Sequence, residues 1–132
     1  MTFEFLHPQT WKRPKGFANG IAAEGKLVFL AGQVGWNAEQ QFDSEDFVAQ
    51  TRQALANIVA LVAEAGGSPE HITRLTWFVL DKKEYLSRLQ ELGAAYRSVM
   101  GKHFPVMTLV QVGALVEDKA RVEIEATAVV PA

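Results

Sequence analysis

The sequence contains no cysteine. Disulfides, thiolate metal sites and cysteine nucleophiles are thereby excluded, and the composition fits a reducing, cytoplasmic compartment. No stretch approaches the roughly 20 apolar residues of a membrane span. The opening Met1-Thr2-Phe3-Glu4-Phe5 lacks the charged and apolar regions of an export signal. Nor is there an excess of positive charge: 13 Lys and Arg stand against 15 Asp and Glu, for a net charge of −2. That balance disfavours a nucleic-acid partner held on a broad cationic face. His7, His71 and His103 lie far apart, without the close spacing of a metal motif, and read as surface residues. A G-x-S-x-G elbow, a phosphate loop and a dinucleotide fingerprint are all missing. What remains is a chain of 132 residues, 48% hydrophobic and 21% charged, with no repeat or linker to divide it. Residues 1–132 therefore read as a single soluble domain.

Residues 8–16 (PQTWKRPKG) form the one irregular run, and its Lys12, Arg13 and Lys15 read as a solvated basic loop. Beyond it the hydrophobic period falls to two. Gly20-Ile21-Ala22 and residues 26–31 (KLVFLA), joined by Glu24-Gly25, predict a hairpin. Gly32-Gln33-Val34-Gly35-Trp36 then leaves the strand through two glycines. Asp43-Ser44-Glu45-Asp46 predicts the start of an amphipathic helix whose buried stripe is Phe47, Thr51, Ala54, Leu55, Ile58, Leu61, Val62 and Ala65. Gly66-Gly67 ends it. Residues 72–80 (ITRLTWFVL) predict a strand, apolar on both faces in its second half. Asp81 to Glu84 resembles a capping box opening a second helix, with Tyr85, Leu86, Leu89, Leu92, Tyr96 and Val99 as its stripe and Gly101 as its stop. Residues 107–112 and 120–130 predict two further strands.

Two helices cover one face of a sheet and no more. Trp77, Val79, Leu109, Val110 and Val112 are poor candidates for solvent, so the bare face is expected to pack on other subunits. Glu123 and Glu125 project from the last strand on the side opposite Val122 and Ile124. On a solvated face they need no explanation. At a subunit seam, however, a carboxylate is partly desolvated, which suits proton transfer. Trp36, after its glycine turn, reads either as a pocket wall or as a core aromatic.

Three segments carry a family resemblance. Gly32-Gln33-Val34-Gly35 resembles the S-G-Q-I segment of the Rid family, the imine/enamine deaminases also called YjgF or L-PSP proteins. Gln50-Thr51-Arg52-Gln53-Ala54-Leu55-Ala56-Asn57-Ile58 is similar to that family's Q-T-R-Q-A-L-x-N-I helix. Val122-Glu123-Ile124-Glu125-Ala126 is similar to its closing V-E-I-E-A strand. The likeness runs from about Gly16 to Val130. It implies a chorismate-mutase-like α+β subunit, a mixed β-sheet with two helices on one face, assembled as a homotrimer with sheets lining a barrel. It further implies ligand clefts between subunits and chemistry without a metal or organic cofactor. In the deaminases an arginine of a P-A-R-[ST] segment grips the substrate carboxylate, and the first glutamate of E-I-E serves the hydrolytic water.

Here Glu123 stands at the glutamate and Gly32 at the glycine. Met107 replaces the arginine (Pro105-Val106-Met107-Thr108), Phe17 the tyrosine, Ala31 the serine and Leu89 the asparagine. An α-carboxylate left without its arginine loses a charge-assisted pair worth about 2–5 kcal/mol. A cleft lined by Phe17, Ala31, Gly32, Leu89, Met107 and Trp36, with Glu123 as its strong polar group, therefore suits a small neutral metabolite. One reading is hydrolysis of an imine- or enamine-like substrate with Glu123 as general base. A second is metabolite or partner binding without turnover. A third, ribonuclease activity, is disfavoured by the acidic charge balance.

Overall fold

A computed structural model describes residues 3–132. The chain runs β1 (Glu4–Leu6), β2 (Gly20–Ala22), β3 (Lys26–Val34), α1 (Phe47–Glu64), β4 (Ile72–Val79), α2 (Lys82–Ser87), α3 (Leu89–Met100), β5 (Val106–Gln111) and β6 (Val122–Val130). The four long strands form one sheet in the order β3-β6-β4-β5. β6 is antiparallel to both neighbours, whereas β4 and β5 run parallel, so the sheet is mixed and the subunit α+β. The parallel pair needs a crossover, which α2 and α3 supply.

α1 starts where Asp46 accepts a hydrogen bond from the Ala49 amide at 3.0 Å. Its buried face carries Phe47, Thr51, Ala54, Leu55, Ile58 and Val62, in one core with Ile72, Leu75, Val122, Ile124 and Ala128 of the sheet; Leu61, expected in the stripe, stands at its edge and is 38% exposed, and Ala65 is the half-buried C-cap. Two polar residues of the helix are structural. Gln50, buried, donates to the Ser44 and Lys119 carbonyls and accepts from the Arg121 amide, so both its amide nitrogen and its oxygen are paired. Asn57 donates to the carbonyls of Val34 and Trp36 and so clamps the chain leaving β3. Close approach at this point requires glycine: a Cβ on Gly35 would lie 2.5 Å from the Gln50 carbonyl oxygen.

The structure corrects four further expectations. β2 does not form a hairpin with β3 but pairs with β1, with Phe5 opposite Ile21. Ala18 bridges Val106 at the β5 edge, and Gly20 and Ile21 lie with Phe29, Arg74 and Thr127 around a shallow recess. The segment therefore crosses the sheet instead of lining its β3 edge. The second helix is broken at Arg88 (φ −124°, ψ 29°), giving three helices where two were expected. There the guanidinium is pulled onto Asp46 and Glu91, at 2.7 Å each. The capping box is half made: Asp81 accepts from the Lys83 and Glu84 amides, but the Glu84 carboxylate binds Arg121 at 2.8 Å.

The fourth correction concerns the bare face. Trp77, Val79 and Leu109 lie on the helix-covered side. The register of β6 on β4 shifts between Ile72 and Arg74, and the face of every later β4 side chain follows from that shift. The bare side instead presents Leu27, Phe29, Phe78 and Val110, with Phe29 75% exposed and Leu27 60% exposed. Among the described residues, no helix is long and apolar enough to cross a membrane.

Candidate functional site

The sheet separates the expected site residues into two groups. Phe17, Leu89 and Met107 line one cavity of about 310 Å³ beneath α2 and α3. Phe17 reaches it because Ala18 donates to the Pro105 carbonyl, tying the irregular N-terminal loop to the start of β5. Met107 forms part of the floor, opposite Leu75 on β4. Leu89, 50% exposed at the first turn of α3, stands at the rim.

Most of the remaining lining was not anticipated. Trp77 and Tyr85 meet edge to face, with centroids 6.3 Å apart, while Tyr96 and Phe104 stack at 5.2 Å with planes 7° apart. Offset and edge-on pairs are the arrangements that aromatic quadrupoles favour. Burial pushes the phenols of Tyr85 and Tyr96 upward, so both remain neutral donors through the physiological range. Tyr96 is already committed, donating to the His103 carbonyl at 2.6 Å. Lys15 is the one charged residue in the lining, and it is exposed. A helical stripe of Tyr85, Leu92 and Tyr96 looks the same in sequence whether it meets a full core or a cavity wall.

Gly32 and Glu123 form the second group. β3 slips register against β6 between Leu30 and Gln33, a bulge that holds Ala31 and Gly32. The half-buried Glu123 side chain lies over Gly32: a Cβ there would come within 2.9 Å of the carboxyl carbon and would overlap Oε2. Glycine is thus required for Glu123 to hold this position. In register, Glu123 faces Phe78 and Val34, while Glu125 faces Thr76 and is exposed. Phe78 in turn pairs with Val110, which puts Glu123 on the bare side of the sheet. Met107 is on the covered side, and Glu123 does not line its cavity. Trp36 joins neither group; it packs on Phe42 at 5.8 Å and offers its carbonyl to Asn57.

The histidines bond the backbone. His7 Nε2 lies 3.0 Å from the Trp11 carbonyl, His103 Nε2 lies 2.6 Å from that of Ile72, and His71 Nδ1 accepts from the Ser68 amide. Among the described residues, no group of three His, Asp or Glu is placed to hold a metal.

Both the sequence and the fold match those of known proteins. The family model described as Endoribonuclease L-PSP matches residues 11–130. The chain belongs to this family, the Rid or YjgF family. A RutC family protein of Haemophilus influenzae is 33% identical over 131 residues, 98% of each chain. The 2-iminobutanoate/2-iminopropanoate deaminase of Salmonella typhimurium is 33% identical over 108 residues, 80% of each. Among solved structures, the Rid-family protein YyfB of Yersinia pestis, described as of unknown function, superposes with a TM-score of 0.87. It is 30% identical, with 98% of this chain and 100% of that one covered. The Escherichia coli YjgF product gives a TM-score of 0.67 at 32% identity, over 86% and 87% of the two chains. The Rid fold thus extends along nearly the whole chain.

Proposed function

We propose that this Rid protein is a homotrimer that binds a small neutral metabolite in clefts between subunits and hydrolyses an imine- or enamine-like substrate, with Glu123 as general base. The observation that carries this reading is the division of the site. Glu123 is held over Gly32 on the bare face, whereas the apolar cavity of Phe17, Leu89 and Met107 opens from the covered face. A ligand touching both needs a second copy of the chain. Leu27, Phe29, Phe78 and Val110 give that copy an apolar surface to bury.

In the proposed step Glu123 takes a proton from water as the oxygen attacks the C=N carbon. Glu123 delivers that proton to the imine nitrogen, giving a carbinolamine, then carries the carbinolamine's hydroxyl proton to the same nitrogen as the C–N bond breaks, releasing ammonia or an amine and leaving a carbonyl. An enamine first tautomerises to its imine. The Salmonella relative is named for 2-imino acids, which carry a carboxylate. Met107 offers such a group no partner, and a buried charge left unpaired costs about 2–5 kcal/mol; this supports a neutral substrate. The net charge of −2 weighs against the ribonuclease in the family model's description.

The test is hydrolysis of neutral imines and enamines by the wild-type protein and Glu123→Gln. The expected result is a fall in kcat/KM of about 100-fold or more. Equal rates contradict the general-base role. Thermal-shift binding of metabolites with no turnover by the wild type selects binding without catalysis, the reading favoured by four apolar residues at Phe17, Ala31, Leu89 and Met107.

A further inference from the structure

We propose that the protein carries a second, cationic pocket that binds a small organic carboxylate with an apolar body, anchored by Arg13 and Lys102. The inference goes beyond the reading above, since it concerns another cavity and another ligand. The pocket, about 340 Å³, lies where β1, the loop before β2 and the turn after α3 meet. That volume falls within the roughly 300–1,000 Å³ of small-molecule sites. Hydrogen bonds tie its walls in place. Ala18 donates to the Pro105 carbonyl, His7 Nε2 lies 3.0 Å from the Trp11 carbonyl, and His103 Nε2 lies 2.6 Å from that of Ile72. A carbonyl only accepts, so both imidazoles donate through Nε2.

Arg13 and Lys102 thus line one cavity from segments far apart in the sequence, and no carboxylate lines it with them. The three ion pairs among the described residues belong to Arg88 and Arg121, so neither cation has an acidic partner there. Two cations sharing a cavity repel, and an anion between them relieves that repulsion. A guanidinium takes a carboxylate in a two-pronged pair, to which an ammonium adds a point charge. Phe5, Leu6, Phe17 and Phe104 supply apolar walls for the rest of the ligand. Arg13 is singled out from the basic loop, because Lys12 and Lys15 do not line this pocket. Phe17 and Phe104 also border the aromatic cavity, whereas Leu89 and Met107 border that cavity alone. The two spaces are neighbours, and the neutral substrate proposed for one is not the anion of the other.

The experiment is calorimetric titration of the full-length protein with three probes: benzoate, its neutral near-isostere benzamide, and acetate, which has the charge without the ring. The expected result is benzoate binding at least about tenfold tighter than either of the others. Arg13→Gln and Lys102→Gln should each weaken benzoate about tenfold. Both side chains are exposed, so the variants keep the fold, which circular dichroism verifies. Lys12→Gln, on the same loop but outside the pocket, should bind benzoate as the wild type does. No benzoate binding, equal affinity for benzamide or acetate, or unchanged affinity in either Arg13→Gln or Lys102→Gln overturns the inference. A tenfold loss in Lys15→Gln instead places the anion at the aromatic cavity and also overturns it. These readouts need neither turnover nor Glu123, so failure here is distinct from failure of the proposed hydrolysis.

Discussion

The two faces of the sheet differ in what burial has done to them. On the covered face Leu75, Val79, Val122, Ile124 and Ala128 lose nearly all their exposure against α1 and α3. On the other, Phe29 and Leu27 remain mostly exposed, although they lie on the same β3 strand as the well-packed Val28 and Leu30. Alternation along a strand decides which side chains point where. It does not decide what covers them. One face is completed by the chain itself, and the other, under the proposed function, by further copies of the chain. The site divides in the same way, with its apolar wall on the covered side and its carboxylate on the bare side.

Substitutions on the two faces should therefore fail differently. Leu55→Ala, in the core under α1, should cost about 2–5 kcal/mol of unfolding free energy in denaturant titrations. Phe29→Glu should leave the subunit's circular dichroism intact and move sedimentation from trimer to monomer. If Phe29→Glu remains trimeric, or if Leu55→Ala is silent, the division of labour between the faces is wrong.

A smaller change sharpens the carboxylate side alone. In Gly32→Ala the new methyl occupies space held by the Glu123 carboxylate. The side chain must swing away, and kcat/KM should fall about 100-fold while the melting temperature changes little. Unchanged kinetics would separate Glu123's position from its role.

The smallest effect lies where the second helix breaks. Arg88 holds the carboxyls of Asp46 and Glu91 below the usual carboxylate range, chiefly through its side-chain hydrogen bonds. A group with a depressed native pKa contributes stability above its unfolded value of about 4 and loses it as the pH falls through the native value. Arg88→Ala should thus lower Tm modestly above about pH 5, and the difference from wild type should close toward about pH 2. These charges are exposed and screened, so the effect is small. A difference that persists at low pH would mean that Arg88 acts through packing.

Much of the subunit was legible in the sequence because its signals are local. Most of the α1 stripe, a helix start within Asp43 to Asp46, and the outward pair Glu123 and Glu125 all follow from period and turn chemistry. The misread parts depend on long-range pairing. Gly20-Ile21-Ala22 carries a strand signal that does not say whether its partner precedes or follows it, and the partner was the short strand Glu4–Leu6. The face of Trp77 was ambiguous because residues 72–80 are apolar on both sides, and the register shift after Ile72 leaves no period to read. The cavity beside Trp77 was invisible for a similar reason: Tyr85, Leu92 and Tyr96 have helical core spacing whether or not the space before them is filled.

The central claim is that each site takes its cavity from one subunit and its carboxylate from another. Mixing two variants tests it directly. Glu123→Gln lacks the base, and Met107→Trp fills the cavity, so each should be inactive alone. Co-refolded in equal amounts, they should regain about a quarter of the wild-type rate, the fraction of interfaces that random assortment supplies with both intact halves. A mixture as inactive as its parents would place both halves in one copy of the chain and contradict the account.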